Sequence, residues 1–224
     1  MTSTSEIVVG IITWGPGILF AITLHEWAHG YVATLFGDPT PRMMGRLSLN
    51  PISHIDPIWT IAVPVLMLVV SLSTMGQPFV FGGAKPVPIN PRNFKAPRYR
   101  LAMFSVSVAG PVMNLFLALL CALALRYAIH LPDYMVGAVV SMLMAALQMN
   151  VLLAVFNMLP ILPLDGGRVL AALLPSPLDY HIAKLERFGL PIVMVLAFSG
   201  MLGKILLPVM SIVLVFYIQL AGLL

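Results

Sequence analysis

From Leu101 to Ala128 the chain carries a single charged side chain, Arg126. A run that long and that apolar exceeds the ~20 residues a helix needs to cross the hydrocarbon core of a bilayer. Comparable runs cover residues 7–36, 136–159 and 189–224, and a shorter one covers 58–75. Composition closes off the soluble alternative: 60% of the residues are apolar and 9% are charged, against about 25% charged in average soluble domains. The expected fold is therefore an all-α polytopic membrane protein of about four to six transmembrane helices. It forms a single membrane-embedded domain over residues 1–224. The last run is long for one span, and Gly200, Gly203 and Lys204 interrupt it. One tilted helix, a kinked helix or a hairpin of two short helices would each fit.

Ten of the twelve basic residues fall in clusters. Arg42 and Arg46 form one, Lys85, Arg92, Lys95, Arg98 and Arg100 a second, and Arg168, Lys184 and Arg187 a third. Basic residues flanking apolar runs mark cytoplasmic loops. They are too sparse, and too close to the apolar runs, for a nucleic-acid surface. Cys121 is the sole cysteine, so no disulfide forms within the chain. Residues 1–6 lack a basic stretch, and the first apolar run is expected to be kept rather than removed as a signal peptide.

Within the first run stands His25-Glu26-Trp27-Ala28-His29. Residues four apart share one face of a helix. His25 and His29 can therefore hold one zinc ion through their ring nitrogens. Glu26 lies one step round, placed to act as general base on a water beside the metal. The chain has five histidines and three glutamates, so chance assembly of this pattern is improbable. A charged residue at the centre of a membrane helix costs roughly 2.5–3.5 kcal/mol on insertion scales. The plainer use of such a group is polar adhesion between helices.

Catalytic zinc ordinarily takes three protein ligands and leaves one position open. Asp165 is the candidate for the third, in Asn157-Met158-Leu159-Pro160-Ile161-Leu162-Pro163-Leu164-Asp165-Gly166-Gly167. Pro160 and Pro163 break the helical pattern, and the two glycines allow tight backbone turns. Irregular backbone at membrane depth is tolerated where it is buried in protein or lines a water-filled cavity. An ordinary turn after the fourth run would explain the same residues.

Together the two motifs resemble the site-2 protease family, which pairs a His-Glu-x-x-His helix with a later Asn-x-x-Pro-x-x-Pro-Leu-Asp-Gly-like segment. The resemblance implies that His25, His29 and Asp165 bind one zinc ion and that Glu26 activates water. It also brings in Gly110-Pro111-Val112-Met113-Asn114, a Gly-Pro-x-x-Asn element expected to pack near the active site. By itself that stretch reads equally well as a helix start with proline in the first turn. The likeness covers residues 20–170 and leaves 188–224 as one or two accessory helices. It points to the small prokaryotic subgroup that lacks PDZ and nucleotide-sensing domains.

The implied activity is zinc-dependent hydrolysis of peptide bonds in or near the transmembrane segments of single-span proteins. Anti-sigma factors and signal-peptide remnants are the implied substrate types. The enzyme would sit in a prokaryotic plasma membrane with its active site toward the cytoplasm. Asn157 or Asn114 would hold the substrate backbone or the oxyanion. A non-proteolytic metal transporter or a membrane-segment chaperone is the competing reading. The third and fourth runs hold few polar residues for transport, and Glu26 is present for catalysis. Oligomeric state is left open.

Two more stretches bear on substrate. His54, in Asn50-Pro51-Ile52-Ser53-His54-Ile55-Asp56-Pro57, either faces the active site or sits as a loop histidine at the membrane interface. Asp56 before Pro57 reads as a helix cap. Phe79-Val80-Phe81-Gly82-Gly83-Ala84-Lys85-Pro86-Val87-Pro88-Ile89-Asn90 suggests a hairpin or bent strand. Its edge could pair with an unwound substrate; a covering loop is the alternative. If residues 58–75 crossed the bilayer fully, the basic stretch 85–100 would begin outside, against the positive-inside rule. A short re-entrant β-hairpin or loop removes the conflict.

Overall fold

In a computed structural model of the chain, residues 4–75, 82–95, 97–128 and 130–223 are described, and no strand occurs among them. Helix α1 covers Thr4–Leu35 and contains the His25–His29 motif. It stops at Gly37, whose φ of +97° lets the Asp38 amide reach back to the Ala33 carbonyl at 3.0 Å, a glycine C-terminal cap. After a short α2 (Thr40–Met43), Asp56 caps the next element. Its Oδ1 accepts from the Ile58 and Trp59 amides at 2.8 and 3.0 Å. That element is a π-turn, Pro57–Ala62, continuing into α3 (Val63–Met75).

The long helices follow. They are α4 (Tyr99–Ala128), α5 (Asp133–Asn157), the short α6 (Asp165–Leu173) and α7 (Leu178–Lys184), then α8 (Glu186–Phe198) and α9 (Met201–Leu220). The final apolar run is thus two helices, divided at Gly200 with φ +72°. Pro111 lies inside α4 rather than near its start, because the apolar run continues upstream of it to Tyr99.

Helix α4 is central and touches α1, α5, α6 and α9. Small side chains make the contacts close: Ala118 and Ala122 of α4 are fully buried against Leu147 and Val151 of α5. Where α1 meets α5, a Cβ on Gly17 would lie 3.0 Å from the Ala146 Cα. Lipid gives helices no hydrophobic reason to associate, so backbone proximity of this kind supplies the attraction. Among the described residues, four helices are long and apolar enough to cross a membrane: residues 8–35, 99–128, 133–157 and 201–220. Only 11–39% of their apolar windows is covered by protein. The remainder needs hydrocarbon around it, and the molecule is a multi-pass membrane protein.

Residues 57–71 form a shorter apolar helix. The chain then comes back to where that helix began. The Gly83 amide donates to the Trp59 carbonyl at 2.9 Å, and the Thr60 hydroxyl donates to the Gly83 carbonyl at 2.7 Å. Lys85 N–H reaches the His54 carbonyl at 2.9 Å. From residue 82 to 90 the backbone is neither helix nor strand. The expected β character is therefore not found over 82–90, and Phe79, Val80 and Phe81 lie outside the described residues. The N–H groups of Lys85 and Val87 bond to the body of the protein instead of to a second strand, and Pro86 and Pro88 have none to offer.

The far end of this segment is fastened by Asp38. Its carboxylate accepts from Asn90 N–H (2.7 Å), Asn93 Nδ2 (2.6 Å), Thr40 N–H (3.0 Å) and the Thr40 hydroxyl (2.6 Å). Burial raises the Asp38 pKa, but these hydrogen bonds outweigh it and hold the group below the ordinary 3.8. A depressed folded-state pKa adds stability above the unfolded value and loses it as pH falls through the folded one. Protection of the Asn90 amide from hydrogen exchange should accordingly persist at neutral pH and weaken only below about pH 3.8. Asp38→Ala should weaken it at neutral pH, by about 1–3 kcal/mol of local stability, and remove its dependence on acid. A pH-independent Asn90 signal in wild type would contradict this account.

Candidate active site

Helices α1, α4 and α6 converge on one buried point. His25 and His29, each 7% exposed, face Asp165, also 7% exposed, at the start of α6. Asp165 Oδ2 lies 3.3 Å from His25 Nε2 and 3.2 Å from His29 Nε2, and the two Nε2 atoms are 3.0 Å apart.

The surrounding hydrogen bonds assign the protons. Asn114 Nδ2 donates to the Ala21 carbonyl (3.2 Å) and to Asn150 Oδ1 (2.9 Å). Its Oδ1 is therefore the atom 2.5 Å from His25 Nδ1, and that nitrogen must donate. His29 Nδ1 lies 2.6 Å from the Val106 carbonyl, which can only accept. In the neutral rings that bind a metal, both Nε2 atoms then carry lone pairs. They point at each other and at a carboxylate oxygen that has no hydrogen-bond partner. Three electron-pair donors within 4.8 Å of one another, in an apolar bundle, repel unless a cation sits between them. Two imidazoles and one carboxylate suit zinc, and the second ring nitrogens are anchored as metal-ligating histidines require.

The glycines are part of the site. A Cβ on Gly110 of α4 would press on His29 Nε2 and come within 2.6 Å of His25 Nε2. At Gly166 it would press on the Met158 carbonyl, and at Gly167 on the backbone of Ile161 and Leu162. The sequence suggested tight turns for these two, but neither has positive φ. Their use is close approach: they let α6 pack onto the Pro160–Leu164 bend and bring Asp165 to the histidines.

Glu26 is half-buried beside the histidines and its Oε2 accepts from Val87 N–H at 2.9 Å. A cavity of about 550 Å³ opens from His29. Val106, Ser107 and Leu162 line it near the histidine; Arg100, Arg168, Asp179 and Glu186 also contribute to its wall. Arg100 pairs with Asp179 across it at 3.3 Å.

A sequence pattern for peptidase family M50 matches residues 128–199. A Bacillus subtilis protein named "Putative zinc metalloprotease YwhC" is 37% identical over 198 residues, covering 87% of this chain and 84% of that protein. The chain belongs to peptidase family M50, the site-2 proteases. It is a membrane zinc metalloprotease. "Putative zinc metalloprotease Rip2" of Mycolicibacterium smegmatis is 33% identical over 188 residues, covering 84% of this chain and 67% of that protein. No solved structure matches.

Within this M50 chain the other sequence candidates fall elsewhere. Asn114 has both ends of its amide engaged, behind His25 rather than on the open side. Asn157 closes α5 with its Nδ2 on the Leu153 carbonyl at 2.9 Å, and does not line the cavity. His54 is 2% exposed, with Nε2 donating to the Ser48 carbonyl at 2.8 Å, also off the cavity wall. Asn150, the Val106 carbonyl and the Val87 amide complete the surroundings of the site. Asn150 gave only the weak signal of an amide in an apolar run. Backbone groups give none.

Asn114→Ala should leave His25 without the acceptor that fixes its ring. Loss of such a partner typically lowers metal affinity by about 10- to 100-fold. Competition with a chromogenic chelator measures it, and unchanged affinity would show that Asn114 does not orient the ligand.

Proposed function

We propose that this protein cleaves single-span membrane proteins in or near their transmembrane segments, using one zinc ion held by His25 and His29 through Nε2 and by Asp165 through its carboxylate. Support for the ligand set is the convergence of two imidazole Nε2 atoms and one carboxylate oxygen, all buried, within 3.3 Å of one another. When bound there, zinc supplies a Lewis acid for the scissile carbonyl and for water. Asn114 and the Val106 carbonyl hold the imidazoles in the tautomer that leaves Nε2 free. Glu26 is the general base. With Oε2 held by Val87 N–H, Oε1 takes the proton from water and later delivers it to the leaving amine.

In this reading the membrane is a prokaryotic plasma membrane and the site faces the cytoplasm. Residues 57–75 and 82–95 belong to a re-entrant element. Two observations favour that arrangement. The bond from Gly83 to Trp59 returns the chain to the start of its short apolar helix, and the basic residues 85–100 then stay on the side of Arg42 and Arg46. Wild type purified in detergent should carry one zinc per chain and cut a model single-span substrate, while Asp165→Ala should lose both. Cleavage by a zinc-free preparation, or by Asp165→Ala, would exclude the mechanism.

A further inference from the structure

The cavity beside His29 needs a donor for the carbonyl oxygen of the bond being cut, and the asparagines do not provide one. Ser107 has the required properties. It is 2% exposed, yet it lines the cavity together with His29. It stands one turn before Gly110 on α4, and its neighbour Val106 holds His29 through the backbone. Its Oγ makes no hydrogen bond among the described residues. A serine inside a helix commonly turns its hydroxyl back to the carbonyl four residues earlier, as Ser73, Ser141 and Ser211 do at 2.8 Å. Ser107 does not. Pro111, four residues on, has no N–H to give the Ser107 carbonyl. The other side chains on the wall with donor hydrogens besides His29 are Tyr99, Arg100, Arg168 and Ser176, and all four are exposed.

We infer that the Ser107 hydroxyl donates to the scissile carbonyl oxygen of the substrate and strengthens that bond as the oxygen gains negative charge. The inference rests on the proteolytic reading above. No covalent bond to Ser107 forms, and its proton stays on Oγ.

The test uses the full chain in detergent with a model single-span substrate. Wild type, Ser107→Ala, Ser107→Cys and Glu26→Gln are compared for kcat, KM and bound zinc. Retention of uncleaved substrate is also measured, for Glu26→Gln with and without Ser107→Ala. Loss of one oxyanion donor lowers kcat about 10²- to 10³-fold. Ser107→Ala and Ser107→Cys should both fall about 10²-fold. One empties the space and the other fills it, so a shared loss reports the hydroxyl rather than the packing. KM, zinc content and substrate retention should not move. A kcat close to wild type in either variant, or zinc lost in step with activity, overturns the inference. Wild-type cleavage together with an inactive Glu26→Gln shows that the proteolytic reading stands even then. A wild type that does not cut removes both.

Discussion

Glu26→Gln is expected to keep its zinc and lose cleavage by about 10²- to 10⁴-fold, the usual contribution of a positioned general base. The substitution is conservative where the structure needs it to be. A glutamine carbonyl still accepts the Val87 N–H that now lies 2.9 Å from Glu26 Oε2, so the 82–90 segment keeps its fastening. Glu26 is not among the three residues grouped so that they could hold a metal ion, so the proposed ligand set is untouched. What disappears is an oxygen able to take a proton from water. The readings are zinc per chain and the rate of cleavage of a single-span substrate. Zinc loss would mean that Glu26 is a ligand. Retained cleavage would hand the proton transfer to another group and reopen the transporter and chaperone readings.

The second large effect is expected at a residue with no chemistry of its own. Gly110→Ala should abolish zinc binding and, with it, cleavage. The added methyl would press on His29 Nε2 and lie within 2.6 Å of His25 Nε2. Neither helix can give way easily, because α1 and α4 pack closely along their buried faces. The imidazoles must rotate instead, and they then leave both the Asn114 and the Val106 acceptors. Helix content should not fall, since alanine favours a helix over glycine by about 1 kcal/mol. Gly137→Ala on α5 is the control, because nothing lies within 4 Å of a Cβ there. It should bind zinc as wild type does. Normal zinc in Gly110→Ala would show that the space between α4 and the histidines is looser than described.

Much of this was legible in the sequence because it is local. The helical period alone puts His25 and His29 on one face with Glu26 beside them. Length and apolarity alone mark the apolar runs that hold the four candidate spanning helices, while leaving their number at about four to six. The Pro160–Gly167 break announces an irregular backbone where Asp165 sits, 136 residues beyond His29 in the chain (165 − 29). Asp56 was readable as a cap because its partners are its own neighbours. The misreadings are long-range. Of the two readings open for Gly110–Asn114, the helix start at Pro111 fails because α4 begins at Tyr99, while Gly110 does pack against the histidines. Gly166 and Gly167 are read as turn formers when their real constraint is the backbone of residues 158–162. Asn114 is read as facing substrate because its partners Ala21 and Asn150 belong to other helices.

The sequence by itself therefore determined the solvent, the helices and the chemical character of the site, because each depends on residue type and on spacing within one or two turns. Tertiary structure decided the rest. It chose which nitrogen of each histidine is bare, through Asn114 and the Val106 carbonyl. It brought the third donor within 3.3 Å of both histidines. It returned residues 82–90 to rest Val87 on Glu26, and it left Ser107 open to the cavity while closing Asn114 and Asn157 away from it. These are matters of which surfaces meet. In a bundle where half of the buried apolar side chains are alanine, meeting is set by how closely backbones approach, and that is a property of pairs of helices which neither member's sequence states alone.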